Sequence, residues 1–504
     1  MHTIIVSDMH LSEAADPAER RPMWMAYKRR EFFIDEDFAR CLAHLETQAA
    51  GPIELVLNGD IFDFDSVTQL PEGEPRVDWL ARRRGLASEE WMSLFKMDCI
   101  IRDHPAWFGA LADFLTRGHR AVFIVGNHDV ELYWPGVQRR ICEALRVETP
   151  PTLLEDVEPT PEKPPPVVFC NWFYVSGEDT YISHGNQYDP HCTVKHPIDP
   201  MIEVNGRPRV RVPFGDLAAR YMLNGMGYFN PHASDNYIMT LRSYARFFWK
   251  YMARTQPFLI WTWFWGALVT WIVTLTEFWR PAMRDPLLVE EKDRTIARRA
   301  NVTPSVVRKL NAIHANASCT NPFAVMRELW LDRGLLLLAV ILGAWFIVLS
   351  INFALPLHPL WVFVPLFLLM FPFIMYAASV KPSVFSEPLL NEARADLIHR
   401  ITGARTVVFG HTHQPVLKQV GPVQYINGGS WSPAFREPEC ETRIGTQTFV
   451  WIQPRGDGAR EAGLWEWPPG GDAPLRFDPG GPPRVSSTSL IAMSSRPPTP
   501  RASP

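Results

Sequence analysis

The stretches Thr3-Ile4-Ile5-Val6-Ser7-Asp8-Met9-His10 and Thr406-Val407-Val408-Phe409-Gly410-His411-Thr412-His413 lie about four hundred residues apart and share one pattern. A run of β-branched and aromatic residues, suited to a buried strand, ends in carboxylate or imidazole side chains at alternate positions. Side chains at i and i+2 of extended backbone point the same way, so Asp8 with His10, and His411 with His413, can converge on one place. Three further clusters follow strand-like runs: Gly59-Asp60 after Ile53–Leu57, Gly126-Asn127-His128-Asp129 after Ala121–Val125, and His184-Gly185 after Tyr181-Ile182. The polar groups therefore stand where strands end and loops begin, and the alternation of such strands with helical segments predicts an α/β fold.

Together the clusters supply the donors of a two-metal hydrolase. Asp60 suits a bridging position, because a carboxylate has two oxygens and its charge offsets repulsion between cations roughly 3.5–4 Å apart. Asn127 offers a neutral carbonyl oxygen and His184 another imidazole. Mixed imidazole, carboxylate and amide donors favour two divalent ions such as Mn²⁺, with Fe²⁺ or Zn²⁺ as alternatives, over Ca²⁺ or thiol-seeking ions. Such a pair lowers the pKa of a bridging water and clamps phosphoryl oxygens during in-line attack, so a metal-bound hydroxide is the expected nucleophile. Asp129 reads either as a partner orienting His128 or as a loop carboxylate capping nearby amides, and Asp63 as holding the loop after Asp60. His104, His119 and His399 fall outside the pattern and read as structural.

In order and spacing, Asp8-x-His10, Gly59-Asp60, Gly126-Asn127-His128-Asp129, His184-Gly185 and Gly410-His411-x-His413 resemble the motifs of the calcineurin-like metallophosphoesterase superfamily, over roughly residues 1–190 and 387–453. The resemblance implies a two-sheet β-sandwich flanked by helices. It also implies one metal held by Asp8, His10, Asp60 and His413, and the other by Asp60, Asn127, His184 and His411. His128 is then the acid beside the ions, protonating the leaving oxygen or stabilising phosphoryl charge. More loosely, Asn58-Gly59-Asp60-Ile61-Phe62-Asp63, His184-Gly185-Asn186-Gln187-Tyr188-Asp189 and Asn427-Gly428-Gly429-Ser430-Trp431 look like the branch that includes UDP-2,3-diacylglucosamine hydrolases. Those enzymes are generally compact and often carry Arg where this chain has His128, so the substrate does not carry over.

At 504 residues the chain exceeds one ordinary domain; 21% charged residues and a net charge of −4 argue against a general nucleic-acid binder, which needs a basic surface. Its seven cysteines are odd in number and spread out, with neither a disulfide framework nor zinc-ribbon spacing, which points to a reducing compartment. The chain opens directly on a strand and its first ligands, leaving no room for a signal peptide, so the catalytic domain is expected in the cytoplasm.

Helices are expected over Phe32–Glu46, Glu89–Leu115 and Leu389–Ile401, and a surface loop over Val147–Pro166. Val167–Val175 and Asp179–Ser183 read as a strand pair turning at Gly177, with later strands around Val423–Ile426 and Thr448–Ile452. The phosphoesterase domain is divided into residues 1–200 and 387–453, and the Pro-, Gly- and Ser-rich stretch 454–504 reads as disordered.

Residues 201–386 form the expected helical insert. Pro257–Leu275, Leu335–Leu355 and Leu360–Ser379 are each about long enough to cross a bilayer, and none carries a charge. Three crossings would place His184 and His411 on opposite sides of the membrane, so two segments are expected to span. Trp261, Trp263, Trp265 and Trp271 mark the first as in-plane or re-entrant, leaving the other two as a hairpin turning at Pro356-Leu357-His358-Pro359. The competing arrangement crosses with segments one and two. Arg242, Arg246, Lys250 and Arg254 form a basic stripe suited to anionic headgroups, and the basic residues from Arg280 to Lys309 favour a cytoplasmic loop. Thr295–Leu310 superficially resembles a DNA-reading helix-turn-helix but reads as a basic, membrane-facing helical pair capped at Thr303.

The expected protein is thus a phosphohydrolase bound to the cytoplasmic membrane, its catalytic domain facing the cytoplasm, acting on a phosphorylated small molecule or a lipid- or nucleotide-linked substrate. The alternatives are a cyclic-nucleotide phosphodiesterase or nuclease, or a membrane scaffold that keeps the fold without catalysis.

Overall fold

The computed structural model describes residues 1–21, 23–155, 165–228, 230, 245–253, 259–281, 289–380 and 388–478. Strands β1 (His2–Val6), β2 (Ile53–Asn58), β3 (Arg120–Ile124) and β4 (Val167–Cys170) pair in parallel, as runs apolar on both faces should. Parallel neighbours need crossovers. Helix α1 (Asp35–Gln48) joins β1 to β2, α2 (Glu90–Asp103) and α3 (Pro105–Thr116) join β2 to β3, and α4 (Pro135–Ala144) precedes β4.

Strands β5 (Phe173–Ser176), β6 (Thr180–Ser183), β7 (Thr406–Phe409), β8 (Val416–Val420) and β9 (Val423–Asn427) build a second, five-stranded sheet, ordered β8-β9-β7-β6-β5. β10 (Gln447–Pro454), β11 (Arg460–Trp467) and β12 (Leu475–Arg476) return to the first, making it seven-stranded with the order β12-β11-β10-β1-β2-β3-β4. Both sheets are mixed. Ile5, Val56, Val122, Ile182, Val408, Ile426 and Val450, drawn from both, share one buried cluster that joins the sheets. On the outer face of the first sheet, Phe38, Met97, Trp107, Leu111 and Ile141 bring in α1 to α4.

β6 and β7 are parallel neighbours, with Thr180 opposite Thr406. Everything between them is therefore one long crossover. It begins with the ribbon Met201–Val204 and Arg207–Val210, then the short helix α5 (Phe214–Ala218), then α6 (Leu259–Trp279). Helices α7 (Val289–Arg299) and α8 (Pro304–Asn311) follow. Next come α9 (Leu331–Ala354) and, after a turn at Pro359–Val362, α10 (Phe363–Ser379), with α11 (Glu392–Thr402) leading into β7.

Two stretches in this crossover, Leu331–Ala354 and Pro359–Ser379, are helices long and apolar enough to cross a membrane. They form an antiparallel hairpin closed at its foot, where Tyr376 OH donates to Asp332 Oδ2 at 2.7 Å and Arg333 Nη2 donates to Val380 O at 3.0 Å. The first segment behaves otherwise. One face of α6 packs Ala267 with Phe214, Val325 and Leu331 in a small core, with Trp263 and Trp271 against it, while Trp261, Trp265 and Trp279 stay exposed.

Several expectations need correction. Val167–Val175 is not one strand, because the chain turns at Asn171-Trp172 and changes sheet, so β4 and β5 belong to different layers. The first helix starts at Asp35, after a short turn at Arg30–Phe32. The stretch after Pro454 is not disordered throughout: β11 pairs along its whole length with β10, and residues 479–504 lie outside the described residues. The apolar side of the α7–α8 pair is turned inward, with Ile296, Ala297, Val307 and Leu310 buried against Phe173, Ile398 and Val407 as the outer layer of the second sheet. Two of its basic residues pair within the protein, Lys292 with Asp199 at 2.7 Å and Arg308 with Asp293 at 3.5 Å, and Thr303 makes no side-chain cap. Of the basic stripe, Arg242 and Arg254 lie outside the described residues; Lys250 pairs with Glu439 at 3.2 Å. All seven cysteines are free.

Candidate metal centre

The ends of β1, β2, β3, β6 and β7 meet at one edge of the sandwich, and the backbone there is unusual. Asp8, His10, Asp60, His411 and His413 all have left-handed φ, between 50° and 68°. For a non-glycine residue this costs about 1 kcal/mol or more, and such strain gathers at functional sites. It also changes the expected geometry: Asp8 and His10 converge through a tight turn rather than along an extended strand. Amides of that turn donate across to the next loop, Asp8 N to Gly59 O at 3.2 Å and His10 N to Asp60 O at 3.0 Å.

Glycines make the close approach possible. A Cβ on Gly59 would lie 2.6 Å from His184 Cγ, one on Gly410 would lie 2.6 Å from Asp8 Oδ2, and one on Gly126 would collide with Asp60 Oδ1. These glycines leave room for the acidic and imidazole side chains to be drawn inward.

The candidate ligands are brought together. His10 Nε2 and His413 Nε2 are 3.1 Å apart, and His413 Nε2 is 3.2 Å from Asp8 Oδ1. His184 Nε2 is 2.9 Å from Asp60 Oδ2, and the rings of His184 and His411 are 5.3 Å apart. Among the described residues five groups have ligand atoms within 4.8 Å of one another, and three of them hold the candidate ligands: Asp8 with His10 and His413, His10 with Asp60 and His128, and Asp60 with His184 and His411. His10 and Asp60 each belong to two of these groups, so the three run together.

The donor set fits divalent cations in detail. His184 Nδ1 donates to Asn58 O at 2.9 Å, which fixes the tautomer and leaves Nε2 with its lone pair beside Asp60. His411 Nε2 donates to Asp189 Oδ2 at 3.0 Å, leaving Nδ1 as the donor atom. Asn127 gives its Nδ2 hydrogen to Asp216 Oδ1 at 3.0 Å, while its Oδ1 is buried without a hydrogen-bond partner. An orphaned buried carbonyl oxygen is costly, and coordination of a cation would satisfy it.

Charge coupling across the site is strong. Burial would raise the Asp60 carboxyl, but the imidazoles of His184 and His128 outweigh it and hold the group well below the usual range. Burial alone would lower His184; the carboxylates of Asp60 and Asp8 instead push it up to about 9. His128, opposed by burial in the same way, is raised by Asp216, Asp60 and Asp63. Such imidazoles must shed a proton before binding a cation, so cation affinity rises with pH.

Asp129 departs from the expected pairing. Its oxygens accept from Gly126 N at 2.6 Å and Ile61 N at 2.9 Å, and neither meets His128. It caps amides and ties two ligand loops together, and burial, followed by the charge of Asp60, pushes it up to about 7. The groups beside His128 are Asp216 Oδ1 at 3.3 Å and Asp63 Oδ1 at 3.5 Å from Nδ1. Asp63 also holds its own loop, accepting from Ser66 N at 2.9 Å. Sequence reasoning gave no role to Asp216 or Asp189. Asp189 closes a run that was singled out, five residues after His184. Asp216 carries no local signal, being brought 89 positions back to Asn127 by the insert. His104, paired with Asp35 at 2.8 Å, and His119 and His399, bonded to Ile53 N and Ala404 O, stay structural as expected.

No protein-family model matches the chain, and comparison with curated proteins gives no match either, so the functional reading stands on these residues alone.

Proposed function

We propose that the protein is a membrane-associated, two-metal phosphohydrolase of the calcineurin-like metallophosphoesterase type. The observation that carries the reading is the position of Asp60, shared between an imidazole group made with His10 and one made with His184 and His411. Asp8, His10, Asp60 and His413 would hold one divalent ion, and Asp60, Asn127, His184 and His411 the other, with Mn²⁺ favoured by the donor chemistry. When bound, such a pair supplies an activated water and neutralises phosphoryl charge.

The chain's own residues do the rest. His128 borders the His10 ring at 4.9 Å between centroids and is partly open to solvent, so it can meet the leaving oxygen and give it a proton. Asn58 and Asp189 hold His184 and His411 in fixed tautomers, and Asp129 fixes the loops that carry Asp60 and Asn127.

The hairpin Leu331–Ser379 would span the bilayer with both feet on the cytoplasmic side. Support comes from its exposed apolar surface and from the crossover topology, which returns the chain to the strand beside the one it left. A substrate with its phosphoryl group at the membrane surface, lipid-linked or nucleotide-linked, would then meet the site at raised local concentration.

Metal analysis of detergent-purified protein, followed by Mn²⁺-dependent hydrolysis of a phosphoester and pyrophosphate panel, tests the reading. About two ions per chain and turnover that His128→Ala nearly abolishes are expected. Protein that binds no transition metal and hydrolyses nothing would end it.

A further inference from the structure

We propose that Asp216 is a positioning residue for the reaction, so that the insert completes the active site as well as carrying the hairpin. The inference rests on the hydrolase reading. Asp216 is fully buried on α5, and its Oδ1 serves two residues of the β3 loop together: Asn127 Nδ2 donates to it at 3.0 Å, and His128 Nδ1 lies 3.3 Å away. The Asn127 amide hydrogen anchors this carboxylate against the β3 loop. The carboxylate's contact with His128 Nδ1 is a charge pairing, shared with Asp63 Oδ1 at 3.5 Å, that keeps this edge of the ring toward the carboxylates and leaves Nε2 as the nitrogen for proton transfer.

The placement is built on both flanks. One turn after Asp216, Arg220 Nε donates to Asp65 Oδ1 at 2.8 Å, and a further turn on Asn224 Nδ2 donates to Asp65 O at 2.8 Å, tying the insert to the loop that follows Asp60. On its other side α5 packs Phe214 against Ala267, Leu329 and Leu331, at the foot of the hairpin. A buried carboxylate is unfavourable unless its partners need it, and here Oδ2 has no hydrogen-bond partner among the described residues. Packing alone would be served better by an apolar residue.

The test compares full-length, Mn²⁺-loaded wild type with Asp216→Ala, Asp216→Asn, His128→Ala and the Asp216→Ala/His128→Ala double variant. Each is assayed on p-nitrophenyl esters and on alkyl esters, whose leaving groups need a proton, and each is assayed for bound metal. Asp216→Ala should lower kcat by about 10- to 100-fold on alkyl esters, with a smaller loss on p-nitrophenyl esters and little change in KM. His128→Ala should show the same leaving-group dependence, and the double variant should be no worse than His128→Ala alone. The isosteric Asp216→Asn should retain metal and show the same selective loss, which keeps the test decisive if the alanine variant misfolds. Losses equal on both esters, or losses that multiply in the double variant, would overturn the proposal while leaving the hydrolase intact. A wild type inert on every ester would instead remove the hydrolase reading itself.

Discussion

At the strand-end edge of the sandwich, charged side chains are buried; along the Leu331–Ser379 hairpin, apolar side chains are exposed. Asp60 is 1% exposed, whereas Phe353 is 97% and Phe367 79% exposed. In water alone both arrangements are unfavourable, the first through desolvated charge and strained backbone, the second through unburied hydrocarbon. On the proposed reading each becomes favourable with one kind of counterpart, cations for the first and lipid for the second. Regular backbone accompanies the apolar surface, and left-handed turns accompany the polar one. Five left-handed non-glycine residues gather where side chains must meet at a point.

The largest test of this contrast is Asp60→Asn. Removing the shared carboxylate should cost on the order of a thousandfold in hydrolysis and also lower metal content, measured by elemental analysis. Retention of both would show that the buried charges serve stability only. At the other pole, Leu342→Arg, in the middle of an exposed helix, should disfavour the bilayer by about 3 kcal/mol, read as loss of co-sedimentation with lipid vesicles. Unchanged partitioning would break the comparison at its apolar end. Gly126→Ala probes the crowding that the turns permit. Its Cβ collides with Asp60 Oδ1, and a 10- to 100-fold fall in metal affinity by titration is expected, with helix content unchanged.

The smallest effect concerns an imidazole outside both regions. His314 packs beside Trp172 and Tyr188; the residue is partly exposed, but both ring nitrogens are buried without a hydrogen-bond partner, and burial pushes it down from 6.5 to about 4. The unfolded chain takes up that proton near pH 6.5 and the folded one only near pH 4. Its contribution to stability is therefore full above the first value and lost as pH falls towards the second. About 2 kcal/mol should disappear between pH 7 and pH 5. Urea midpoints for wild type and His314→Phe should differ in that slope; equal slopes would mean that the ring is hydrated when folded. The contrast with His184 is instructive, since carboxylate neighbours hold one buried imidazole charged while their lack leaves the other neutral.

Much of the site was legible because its parts are local: an apolar run, then Asp8 and His10, Asp60, Asn127, His184, or His411 and His413. Each strand's end announces its own ligand. The parallel strands were legible for the same reason, being apolar on both faces. What could not be read depends on partners remote in sequence. Asp216 resembles any helical aspartate until the fold sets it beside His128. Lys292 of α7 suggested lipid because its partner, Asp199, lies elsewhere in the chain. The split between β4 and β5 was hidden because Val167–Val175 is apolar but for Asn171, where the chain turns, and β11 because its surroundings are rich in Pro and Gly.

The long crossover between β6 and β7 has a consequence for biosynthesis. A ribosome making this protein translates Leu331–Ser379 before His411 and His413, so on the proposed reading the apolar hairpin is synthesised while the cation cage still lacks two of its imidazoles.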